Sequence, residues 1–141
     1  MIADNLGAEQ GARTTVLVVE NDGRLRSMVR RVLAGQAYHV LEAVSPEDAL
    51  RIAIEQQGRI DLVVTDVDMP GAGARAMVGR LEDLNRSLRV LFVSEHSDAE
   101  LLVRGFDKGY DPFLPKPFSG WELVAGVEAA LRAPVLQHST P

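Results

Sequence analysis

Two acids, a hydroxyl and a lysine stand at the ends of short apolar runs in this chain. Val16-Leu17-Val18-Val19 leads into Glu20-Asn21-Asp22, and Leu62-Val63-Val64-Thr65 leads into Asp66. Val90-Leu91-Phe92-Val93 leads into Ser94, and Phe113-Leu114-Pro115 into Lys116-Pro117. Such runs read as strands buried on both faces, and open α/β sheets place their ligands at the carboxyl ends of parallel strands. Glu20 and Asp66, brought together there, repel unless a cation or a proton lies between them. A hard divalent ion such as Mg2+ suits that pair, since it takes a few carboxylates, a carbonyl and several waters. Lys116 adds a positive charge for Asp66 or for a phosphoryl oxygen, and Ser94 offers a hydroxyl donor to the same oxygen. An aspartate in those surroundings can attack phosphorus and form an aspartyl phosphate, with metal and lysine holding charge on the transferring group.

The elements that must position these residues alternate. After the strand at 16–19, Leu25, Met28, Val29, Val32 and Leu33 recur at helical spacing. Asp22 reads as the cap of that helix and Gly35 as its stop. Residues 38–43 read as a strand. Ser45 then caps a helix with Pro46 at its first position, an inward stripe of Ala49, Leu50, Ala53 and Ile54, and a stop at Gly58. A third strand at 61–66 precedes a helix over 75–84 with Met77, Val78, Leu81 and Leu84 facing in. A fourth strand at 89–94 precedes a helix over 98–106 closed by Gly109. A short strand at Phe113-Leu114 precedes a helix capped by Ser119, carrying Leu123, Val124, Val127 and Leu131. Five β-α units with right-handed crossovers predict a doubly wound parallel sheet covered by helices on both faces.

The bulk properties fit one domain. The chain has 141 residues, 46% hydrophobic and 25% charged, which is enough to bury a core. Its net charge of -5 and the lack of a dense basic patch argue against direct nucleic-acid binding. Cysteine is absent, so thiolate chemistry and disulfides are excluded. No run approaches the ~18–20 apolar residues of a membrane span, and the first fourteen residues lack the apolar core of a signal peptide, so a cytoplasmic location is expected. His39, His96 and His138 are scattered without metal-ligand spacing and read as surface histidines. Trp121 reads as a packing or partner-contact residue.

Four pieces, in order, resemble the response-regulator receiver domain of two-component signalling. They are Val-Leu-Val-Val-Glu-Asn-Asp at 16–22, Asp-Val-Asp-Met-Pro-Gly at 66–71, Ser94, and Phe-Leu-Pro-Lys-Pro-Phe at 113–118. The resemblance covers 15–132 and leaves 1–14 as a flexible N-terminal segment and 133–141 as a disordered tail. It implies a flavodoxin-like (βα)5 fold with strand order 2-1-3-4-5 and a cis Lys116-Pro117 bond. Asp66 would be the phosphoacceptor, with Ser94 and Lys116 on the phosphoryl group. Glu20, Asn21, Asp66 and the backbone carbonyl of Asp68 would handle Mg2+, and Phe113 would be the switch aromatic. The partners implied are a histidine kinase or histidine phosphotransfer protein and a downstream protein on the helix 4, strand 5, helix 5 face, with a homodimer left open. No enzymatic turnover is expected beyond self-phosphotransfer and autodephosphorylation.

The sequence departs from the family's pattern at three places. Asn21 stands where a carboxylate is usual and removes one negative charge from the metal site. Glu95 follows Ser94 where the family has a small residue. Phe113 lacks the hydroxyl of a tyrosine. Asn21 and Glu95 keep open a receiver that binds partners without phosphorylation. Asp66-Val67-Asp68 also resembles the DxD of aspartate-nucleophile phosphatases, although that motif normally follows a first strand in a longer chain. About ten residues follow Leu131, so the expectation is a stand-alone regulator or the terminal receiver of a hybrid kinase.

Overall fold

The computed structural model describes residues 13–69, 73–106 and 111–135. The ends beyond these residues, the Pro70-Gly71 turn and the expected helix stop at Gly109 lie outside the described residues. The elements are β1 (Thr15–Val19), α1 (Gly23–Ala34), β2 (His39–Ala43), α2 (Pro46–Glu55) and β3 (Leu62–Asp66). They continue with α3 (Ala74–Leu84), β4 (Arg89–Ser94), α4 (Asp98–Val103), β5 (Phe113–Pro115) and α5 (Gly120–Arg132). All four strand pairings are parallel and the order is β2-β1-β3-β4-β5. This is the flavodoxin-like order that the resemblance implied.

The period of two along each central strand divides the interior into two layers. Leu17, Val19, Val63, Val90 and Phe92 pack with residues of α2, α3 and α4, including Ala53, Met77 and Leu101. Val16, Val18, Leu62, Val64, Leu91 and Val93 pack on the other face with Val29 and Leu33 of α1 and Leu123 and Val127 of α5. Both faces are covered, which is why these strands read as unbroken apolar runs.

Local chemistry sets the helix ends. The Asp22 carboxylate accepts from the amides of Arg24 and Leu25 at 3.0 and 3.3 Å, as its cap reading required. Ser45 accepts from Asp48 N, and Ser97 and Ser119 each form a reciprocal capping box with a glutamate three residues on. Two expected inward positions are corrected. Ile54 is 64% exposed, because the buried stripe of α2 is Ala49, Ile52 and Ala53 at i, i+3, i+4. Leu84 is 45% exposed at the last turn of α3. Trp121, read as a packing or partner-contact residue, is 81% exposed. Helix α4 stops at Val103, not 106, because Gly105 takes φ +90° and turns the chain.

Gly58 shows how tightly the α2–β3 turn is set. Its φ is +74°, and a Cβ there would lie 2.6 Å from the Leu84 carbonyl oxygen. Gly58→Ala should therefore cost about 2 kcal/mol or more, combining left-handed strain with a backbone overlap. Urea unfolding measures it; a change below about 0.5 kcal/mol would mean that the turn relaxes freely.

Candidate functional site

Parallel pairing brings the carboxyl ends of β1, β3, β4 and β5 to one rim. Asp66 is the last residue of β3 and pairs in register with Val93, one residue before Ser94. Glu20 directly follows β1. Both keep the parity of the residues facing α1 and α5, so their carboxylates leave the sheet on the same side. Arg26 fixes the exit of β1, donating to the Glu20 carbonyl at 2.8 Å while its Nε pairs with Glu42 on β2 at 3.2 Å.

Lys116 arrives from the end of β5 and stands between the two acids. Its Nζ is 2.6 Å from Asp66 Oδ2 and 3.5 Å from Glu20 Oε1. The Lys116 amide donates to the Ser94 carbonyl at 2.8 Å, and the Lys116-Pro117 bond is cis. Glu20, Asp66 and Ser94 are all buried. Burial pushes the Glu20 carboxyl above its ordinary value; the Asp22 amide opposes this, the Asp66 charge adds to it and Lys116 opposes it. Burial works against the Lys116 charge, but Asp66 and Glu20 outweigh it and hold Lys116 above the usual lysine range. Two carboxylates and one ammonium leave the cluster one negative charge in excess.

That donor set suits a hard cation. Mg2+ commonly uses only one or two carboxylates, with carbonyls and waters completing its shell. Glu20 and Asp66 supply the carboxylates. Asn21, by contrast, is exposed, and Asp22 is occupied as the α1 cap. Among the described residues, no three His, Cys, Asp or Glu side chains are gathered as for a metal ion.

The remaining candidates take up distinct places. The Asp68 amide donates to Asp66 Oδ1 at 2.9 Å, while the Asp68 carboxylate turns to a different set of partners. His96 Nε2 lies 2.8 Å from Asp68 Oδ2, and Arg104 donates to Asp68 Oδ1 at 2.5 Å. Burial works to raise the Asp68 pKa, but the His96 and Arg104 hydrogen bonds and charges outweigh it and hold the carboxyl below the usual aspartate range. Reading His96 as a surface histidine did not reveal this pairing. Residues 68, 96 and 104 lie on three different segments, and no spacing rule links them. Phe113 is half-buried, stacked on Phe92 at 5.3 Å between ring centres and edge-on to Phe106 at 5.7 Å. Exposed Glu95 lines, with Asp22, Arg24, Leu25, Lys116, Pro117 and Phe118, a cavity of about 500 Å³ beside the acids.

No helix among the described residues is long and apolar enough to cross a membrane. The response regulator receiver domain family matches residues 16–128. The transcriptional regulatory protein PrrA of Mycobacterium tuberculosis is 36% identical over 117 residues, covering 83% of this chain and 49% of PrrA. The chain thus spans about half the length of that relative. The receiver domain of the hybrid histidine kinase CckA is 34% identical, with a TM-score of 0.68 over 84% of this chain and 99% of that one. The chemotaxis protein CheY4 of Vibrio cholerae is 26% identical, with a TM-score of 0.73 over the same shares. By sequence, strand order and the extent of both matches, the chain belongs to the response regulator receiver domain family.

Proposed function

We propose that the domain accepts a phosphoryl group on Asp66 from a histidine kinase or a histidine phosphotransfer protein, and that the modification switches a partner-binding face. Receivers of this family serve two-component signalling, interact with histidine kinases and downstream effectors, and generally bind Mg2+ at the phosphorylation site. The observation that carries the reading is the 2.6 Å contact of Lys116 with the buried carboxylate of Asp66. In the transfer, an Asp66 oxygen forms a bond to phosphorus as the bond to the donor breaks, and the donor keeps that electron pair. Lys116 lies where it can hold negative charge on the transferring oxygens, and Ser94 is the hydroxyl on the neighbouring strand end. Glu20, Asn21, Asp66 and the Asp68 carbonyl are the groups that would hold Mg2+, which would neutralise phosphoryl charge when bound. Phe113, at the meeting of β4, β5 and the residues after α4, is the aromatic that would relay the change to the α4, β5 and α5 surface.

Acetyl phosphate with Mg2+ should add one phosphoryl group to the intact protein, and Asp66→Asn should abolish that addition. Mass spectrometry reads both. Equal labelling of the variant would remove Asp66 from the role. Asn21→Asp should bind Mg2+ about tenfold more tightly, since one more carboxylate adds attraction at a partly desolvated rim. Calorimetric titration of both forms decides it; equal affinity would place residue 21 outside the metal site.

Glu95 and Asn21 favour a second reading, a receiver that engages partners without phosphorylation. Glu95 sets a negative charge on the cavity beside Asp66, where an incoming phosphoryl donor would have to approach. Absence of labelling in the parent protein, together with retained partner binding, would favour this reading over the first.

A further inference from the structure

The Asp68 carboxylate holds an imidazole and a guanidinium that take no part in the Lys116 cluster. His96 comes from the loop after β4, and Arg104 is the residue that ends α4. Arg104 NH1 also closely contacts His96 Nε2, so the three side chains form one unit. The unit adjoins the acidic cluster directly, because the Asp68 amide is bonded to Asp66 Oδ1. The α-carbons of residues 66 and 68 are at most about 7 Å apart along an extended chain, within the swing of an arginine side chain.

Charge then decides where the guanidinium belongs. The unmodified Asp66 carboxylate already has the Lys116 ammonium, while beside Arg104 the Asp68 carboxylate has only the His96 ring, so Arg104 rests on Asp68. A phosphoryl group carries about two negative charges and three strong acceptor oxygens. Lys116 is shared with Glu20, so its single charge does not meet the new demand in full. A planar guanidinium fits phosphoryl oxygens better than any other side chain.

Resting on the reading of Asp66 as phosphoacceptor, we propose that Arg104 is a phosphoryl-binding residue that Asp68 holds in reserve. On modification of Asp66 it leaves the Asp68 carboxylate for the phosphoryl oxygens and draws the C-terminal end of α4 with it. The connections of that end give the movement its reach. Arg75 donates to the Gly105 carbonyl and lies over the Phe106 ring, with 5.8 Å from its guanidinium carbon to the ring centre. Phe106 in turn packs on Phe92 and Phe113. A shift at residue 104 therefore disturbs the seat of Phe113 and the α4 surface, where Val103 is 88% exposed.

Beryllium fluoride with Mg2+, a phosphoryl mimic that does not turn over, tests this at equilibrium. Arg104→Ala should weaken its binding about tenfold, the loss expected for one charge-assisted contact, and Arg104→Lys should recover part of it. Asp68→Asn should tighten binding in the parent background by freeing Arg104, and should do so much less when combined with Arg104→Ala. Amide hydrogen exchange across 98–106 should change on binding in the parent and not in Arg104→Ala. Arg104 is partly exposed, and unchanged melting of its variants verifies their fold. Equal affinity in Arg104→Ala, or an equal gain from Asp68→Asn in both backgrounds, overturns the proposal. If the parent binds the mimic but Arg104→Ala binds it equally, only the Arg104 assignment falls. If the parent neither binds it nor labels with acetyl phosphate, the reading of Asp66 falls and takes this proposal with it.

Discussion

Lys116→Met should cost the metal-free protein about 2–3 kcal/mol of stability, and added Mg2+ should return much of that loss. Breaking a buried ion pair by removing one partner typically costs ~3–5 kcal/mol, and the lower figure here reflects the solvent that Lys116 retains. Methionine keeps most of the apolar stem and removes the ammonium that stands 2.6 Å from Asp66 and 3.5 Å from Glu20. Both acids are then left buried and facing each other. A divalent cation binds the folded form and not the unfolded one, so its stabilisation grows with concentration over its dissociation constant. The variant, with two unpaired acids, should gain more from Mg2+ than the parent does. Urea unfolding of both proteins in chelator and in Mg2+ gives the four numbers needed. If the variant is as stable as the parent and Mg2+ moves both alike, the three charges do not act as one unit.

Phe92→Ala should be the most destabilising core change near the site, at about 3–5 kcal/mol. Phe92 is fully buried and meets Phe106 edge-on at 4.9 Å and Phe113 stacked at 5.3 Å. Removing this ring leaves a cavity beneath β5, a strand of only three residues paired on one side. Phe92→Leu refills part of that volume and should cost less than half as much. Urea unfolding measures both. A loss below about 1.5 kcal/mol for Phe92→Ala would mean that the neighbouring rings collapse into the space.

The sheet was legible in the sequence because doubly covered strands leave a strong trace. Val16 to Val19, Leu62 to Val64 and Val90 to Val93 are apolar without alternation, and each is buried on both faces. Helix starts were legible wherever a side chain makes the cap, as at Asp22, Ser45 and Ser119. Helix ends were less so. Ile54 and Leu84 look inward by composition, yet their angular positions at the helix ends turn them out. The stop after Val103 is set by Gly105 adopting positive φ, a choice glycine permits without advertising. The rim residues Glu20, Asp66, Ser94 and Lys116 could be gathered because each ends or directly follows a strand, and strand order does the rest. The unit of Asp68, His96 and Arg104 could not. It joins two loops and a helix terminus, and only the crossing of α4 over the rim brings those segments together.

The interior placement of β1, between β2 and β3, also orders events during synthesis. Thr15–Val19 leaves the ribosome first of the five strands, yet it is hydrogen-bonded to β3, with Val16 opposite Leu62. At about 5–20 residues per second, the intervening segment of roughly 45 residues takes several seconds to appear. For that interval the chain carries an apolar, β-branched pentapeptide whose second edge has no native mate, which is the profile of a segment that pairs with other chains. Helix α1 can shelter one face of it early, through Val29 and Leu33, because that contact is local in sequence. The other face waits for α2 and α3. Yield of folded protein should thus be governed by what happens to nascent chains between the first and third strands, well before the rim that carries the chemistry exists.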